Sequence, residues 1–147
     1  MTETIRLSSD GPHSPDYTRE VAAAVAEAVR VLNHATTFGH IGDALAFPAD
    51  ADAVLGSLST AAQRLPQLLD QLRDWLVGEL AAGRLRVGHG PHAGDPAAAT
   101  EAAARKLRDA SAIAFRLHLA LKDVTAVTSA IGAPFPAPGA EEDPGER

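Results

Sequence analysis

The stretch from Asp95 to Gly132 constrains this chain more than any other. Ala103, Leu107, Ala110, Ala114, Leu117, Leu121, Val124, Thr128 and Ile131 recur at alternating spacings of four and three, with Ile113, Ala120 and Val127 beside them. At about 3.6 residues per turn this rhythm keeps one face in line for about nine turns, so the segment reads as a helix with a continuous apolar stripe. Covering that stripe requires at least two other helical segments. Asp95 followed by Pro96 marks the entry, and Gly132 ahead of Pro134 marks the exit.

The rest of the chain supplies those segments. Ser14 and Pro15 form a cap-plus-proline entry, with Asp16 and Glu20 near the positive end of the helix dipole. From there Tyr17, Val21, Ala24, Ala28, Val31, Ala35 and Phe38 repeat at helical spacing, and the amphipathic helix is expected to end near Gly39. Residues 39–49 read as a loop whose Ile41, Leu45 and Phe47 fold over the end of a bundle. Asp50 or Asp52 then caps a segment in which Leu58, Ala62, Leu65, Leu69, Leu72, Leu76 and Leu80 keep phase straight through Pro66. A proline there removes one helical hydrogen bond and crowds the carbonyl four residues back. The residues leave a kink or a break at Pro66 open, and the unbroken phase favours a kinked, nearly continuous helix ending at Gly83.

The expected fold is therefore all-α: an up-and-down antiparallel helical bundle of three to four helices spanning residues 14–132. Residues 1–13 lack periodicity and read as a flexible arm; residues 133–147, rich in proline, glycine and acid with only Phe135 as an anchor, read as a disordered tail. No repeat of 20 to 50 residues is visible.

Composition narrows the function. A chain of 147 residues without cysteine has neither a disulfide framework nor a thiol nucleophile nor a Cys-rich zinc site. Its net charge of −6 argues against broad phosphate-backbone binding. No run approaches the roughly 18 apolar residues of a membrane span, and the first residues, with Glu3, carry no signal-peptide core. A soluble cytoplasmic chain is expected.

Candidate chemistry is sparse. His89 and His92 sit three apart in a glycine-rich loop with Asp95 three further on, a spacing compatible with metal coordination but without a helical scaffold to hold it. Gly88, Gly90 and Gly94 do not match a phosphate-binding pattern. His34 and His40 straddle the end of the first helix, and His118 stands at the edge of the last helix's stripe, where a histidine typically bonds a neighbouring helix. No histidine follows a glutamate at the spacing of a carboxylate-bridged di-metal bundle, and no serine triad is recognisable. Arg105, Lys106 and Arg108, with Arg84 and Arg86 upstream, are the only basic concentration, with no interleaved aromatic.

Phe115 and Leu119 stand apart. At 100° per residue they project about 160° from the centre of the main stripe, near Arg108, Ala112 and Ala126. Two large apolar residues one turn apart on a second face mean either a helix flanked on both sides or an oligomer contact made by Phe115, Leu119, Ala112 and Ala126.

The runs LNHATT (Leu32 to Thr37), FPADADAVLGSL (Phe47 to Leu58), RLPQLLDQLRDWL (Arg64 to Leu76) and AAGRLR (Ala81 to Arg86) resemble a group of uncharacterised small helical proteins of actinomycetes. The resemblance implies a soluble cytoplasmic helical protein and carries over no activity, ligand or site residue.

Together these readings predict a non-enzymatic helical-bundle interaction or regulatory protein that self-associates as a homodimer through its last helix or binds another helical protein, with no cofactor. Two other readings stay open: a small-ligand or metal-binding bundle using His89, His92 and Asp95, and a nucleic-acid-associated regulator using Arg105, Lys106 and Arg108.

Overall fold

The computed structural model describes residues 6–37 and 41–132, with backbone alone at 41 and 43, and the chain divides into two compact units, Met1–Ala46 and Phe47–Arg147. Phe38, Gly39, His40, the side chain of Ile41 and the tail with Phe135 lie outside the described residues. Among those described, all regular structure is helical.

In the first unit, α1 runs Pro15–Ala35 and a single turn, α2, spans Ile41–Ala44. The Ser14 hydroxyl accepts the Tyr17 N–H at 3.1 Å, satisfying a donor that the helix start leaves unpaired, and Pro15 takes the first position. The helix stops four residues short of Gly39, and at its end Thr36 Oγ1 donates to Leu32 O and Thr37 Oγ1 to Asn33 O, each at 2.8 Å. The Tyr17 hydroxyl accepts the Ser8 N–H at 2.9 Å and donates to Arg6 O at 3.2 Å, fastening part of the preceding segment to the helix. No α1 residue is buried, and Val25, Val29 and Val31 are exposed.

The second unit is a helical hairpin of α3 (Pro48–Ala81) and α4 (Pro96–Thr128). Asp50 serves the start of α3 from its third position, where its carboxylate accepts the Phe47 N–H at 2.8 Å, while Pro48 takes the first. Phe47 itself is exposed and does not cover the bundle end as expected. At the exit the Gly83 N–H donates to Leu80 O at 2.9 Å and the Arg84 N–H to Glu79 O at 3.0 Å, the Schellman arrangement. That closure needs a residue at positive φ, which Gly83 provides at 68°.

α3 is one helix through Pro66, the continuous course that the unbroken phase favours, and not two helices broken there. The lost N–H removes a single ladder bond, to Ala62 O, while the seam against α4 continues on both sides of it.

That seam runs through Asp52, Leu55, Ser59, Ala62, Pro66, Leu69, Arg73, Leu76 and Leu80 of α3, and Thr100, Ala104, Leu107, Ser111, Ala114, His118, Leu121, Thr125 and Thr128 of α4, all buried or half-buried. Both rows alternate three and four, the spacing of a coiled-coil seam. Cross-bonds fix an antiparallel register: Ser59 meets His118, and Thr128 Oγ1 donates to the Asp52 carboxylate near the open end. The apolar residues most deeply buried are all alanines: Ala62, Ala104 and Ala114. The seam is therefore rotated from the stripe read in the sequence. It keeps Leu107, Ala114, Leu121 and Thr128 but replaces the other half with Ala104, Ser111, His118 and Thr125.

Candidate functional site

The rotation of the seam decides what the hairpin shows to its surroundings. With the seam residues as heptad positions a and d, the c and g rows of α3 hold Val54, Leu58, Ala61, Leu65, Leu68, Leu72 and Trp75. Those of α4 hold Ala103, Ala110, Ile113, Leu117, Ala120, Val124 and Val127. Reversing one helix of a pair brings g beside g and e beside e, so both sets fall on one side of the hairpin. Leu68, Leu72, Trp75, Ile113, Leu117, Val124 and Val127 are all exposed there, Trp75 at 60% and Val127 at 65%. Between Val54 and Trp75, and between Ala103 and Val127, the only charge in these rows is Lys106.

The opposite side is polar. It carries Gln63, Gln67, Asp70 and Asp74 from α3 and Glu101, Arg105, Arg108 and Lys122 from α4. Phe115 and Leu119 stand on this side, 52% and 43% exposed, with Ala112 and Ala126 in the same rows. They are not core of this unit. The Phe115 ring lies 6.3 Å from the His118 ring.

His118 belongs to the seam. Its Nδ1 lies 3.1 Å from both the Ser59 carbonyl oxygen and Ser59 Oγ. A carbonyl only accepts, so Nδ1 carries the proton and donates to the pair. A histidine that donates at this nitrogen does not draw a proton from Ser59, so the two form a structural cross-link and not a nucleophile with its base.

The histidine loop is arranged for a turn and a cap. Gly90 and Gly94 take φ of 87° and 79°, and the Gly94 N–H donates to Val87 O at 2.9 Å. The Asp95 carboxylate accepts the Ala98 N–H at 2.9 Å as the N-cap of α4. His89 is exposed and His92 half-buried, and among the described residues no three His, Asp or Glu side chains gather as a metal site. His34 is exposed in the last turn of α1.

The basic residues do not converge either. Arg105 and Arg108 share the polar side, Lys106 lies on the apolar one, Arg105 pairs with Glu101, and Arg84 pairs with Glu79 at 2.6 Å. The bond from Arg84 holds the Glu79 carboxyl below the usual carboxylate range. Among the described residues no helix is long and apolar enough to cross a membrane.

The large surface was hidden in the sequence because the stripe of α4 is wider than one neighbour can cover. Nothing in the spacing says which edge α3 takes. Trp75 gave one signal: it continues the 3,4 run Leu65, Leu68, Leu72 on a line offset from the seam.

Comparison with protein-family models, with curated proteins and with solved structures finds no match.

Proposed function

We propose that this chain is a non-enzymatic interaction protein of the cytoplasm, a helical bundle that self-associates through α4. One observation carries the reading: the hairpin buries small residues at its seam and leaves the large apolar residues of α4 uncovered along one side. A soluble chain seldom leaves a continuous apolar face of this length open, and such faces mark protein contacts. Several charged side chains of the hairpin are engaged in local pairs, Arg73 with Asp70 and Asp74, Arg84 with Glu79 and Arg105 with Glu101, which suits a scaffold better than a reaction centre.

Light scattering of the full chain tests this. Wild type is expected at twice the monomer mass of 15.2 kDa at high concentration, dissociating on dilution. Leu117→Asp with Val124→Asp is expected to be monomeric with unchanged helix content, because a carboxylate buried without a partner opposes association. A wild-type monomer at every concentration would overturn the proposal.

A further inference from the structure

We infer that the occupant of the hairpin's apolar side is the same side of a second copy, α3 as well as α4, so that two hairpins close into a four-helix bundle. The inference rests on the self-association just proposed and names its surface. Three observations support it.

The first is area. From Val54 to Trp75 the side extends about 32 Å at ~1.5 Å per residue, across two helices whose axes lie about 9 Å apart. With the width of the helices this gives roughly 600 to 700 Å² per copy, or about 1,300 Å² in all, within the range of specific, stable interfaces.

The second is charge. A chain of net charge −6 meets a copy of itself with no acidic residue and a single basic one, Lys106, in the c and g rows between Val54 and Trp75 and between Ala103 and Val127. On the other side, pairing through Phe115 and Leu119 would take charges of both signs, among them Asp70, Asp74, Glu101, Arg105, Arg108 and Lys122, out of water, a desolvation cost that the apolar side avoids.

The third is shape. At the loop end the apolar bulk stands on α3, as Leu68, Leu72 and Trp75, beside Ala103 and Ala110 of α4, where Lys106 is the one long side chain. At the open end it stands on α4, as Leu117, Val124 and Val127, beside the half-buried Val54 and Leu58 of α3. A two-fold axis in the plane of contact places the bulk of each copy over the recessed half of the other, the self-complementarity that an isologous interface requires.

Trp75, the only tryptophan, reports on this surface directly. The experiment follows mass and Trp75 emission of the full chain across a dilution series, for wild type, for Leu72→Asp with Leu117→Asp, and for Phe115→Asp with Leu119→Asp. The expected result is a dimer whose Trp75 emission is blue-shifted and reddens on dilution. Association should weaken by at least about 100-fold in the first variant, at about 1.4 kcal/mol per tenfold for two central residues, and little in the second. Retained helix content by circular dichroism shows that the first variant still folds. A dimer that survives Leu72→Asp with Leu117→Asp, or whose Trp75 emission stays red at all concentrations, overturns this surface and leaves self-association standing. A monomer throughout overturns both.

Discussion

The seam of the α3–α4 hairpin and its open side differ in a way that inverts the usual bundle. The seam buries Ser59, Ala62, Thr100, Ala104 and Ala114, whereas Leu68, Leu72, Trp75, Ile113, Leu117 and Val127 stand exposed. Small residues let two helix backbones approach closely, but a buried alanine methyl contributes only about 0.8 kcal/mol against about 1.5 to 3 for a buried Leu or Val. Close approach fixes the geometry of the pair, and most of the available hydrophobic free energy stays on the side that the hairpin alone cannot cover. The seam positions the helices; the open side is the surface we propose for binding.

Enlarging a residue on each side is the strongest way to break that contrast. Ala62→Leu with Ala104→Leu forces the helices apart at two points too distant to compensate each other, and each costs about 1 to 3 kcal/mol. For a unit of this size the pair should lower the melting temperature by roughly 10 to 30 °C, read by circular dichroism. Ala61→Leu, one residue away but on the open side, is expected to change it by less than about 0.5 kcal/mol when measured below the association midpoint. Equal losses would mean that the seam is no more tightly packed than the surface.

Pro66 offers the next largest effect, of opposite sign. It sits in the seam, where its ring is half-buried and its missing N–H leaves one α3 carbonyl without its ladder bond. Alanine is favoured over proline in a helix interior by about 3 kcal/mol, and loss of the packed ring returns part of that. Pro66→Ala should therefore raise stability by about 2 kcal/mol in thermal or urea unfolding. A loss of stability would show that the seam depends on the backbone course that proline imposes.

These contrasts also explain what was legible in the sequence. Helix starts were, because Ser14–Pro15 and Asp95–Pro96 are local signals that act within one turn, and both caps accept the expected N–H. The antiparallel pairing of α3 with α4 followed from their matched lengths, 34 and 33 residues. The angular position of the seam did not follow. Ala104, Ser111, His118 and Thr125 are polar or small and look like a helix's outer edge, yet they are buried or half-buried because small residues permit the closest approach. Phe115 and Leu119 drew notice as a pair of large apolar residues off the main stripe of α4, while the more extensive surface lay within a stripe that looked already accounted for by the core.

The smallest expected effect lies at the loop end, where Glu79 is the one acidic residue in the open side's rows of α3. Its carboxylate accepts Arg84 Nε at 2.8 Å and NH2 at 2.6 Å, and that bond holds its proton affinity below the ordinary carboxylate range. A carboxyl depressed by folding contributes stability above its unfolded value, and that contribution is lost as pH falls through the folded value, while Arg84 stays charged throughout. Glu79→Gln should accordingly lower the melting temperature slightly at neutral pH and low salt, with the difference from wild type closing below about pH 4 and shrinking in high salt. The same substitution leaves the row's apolar residues in place, so the monomer–dimer midpoint should not move. A midpoint that shifts with Glu79→Gln would extend the binding surface past Trp75 to the loop end of α3, and would make the charge at its rim part of how the open side selects its partner.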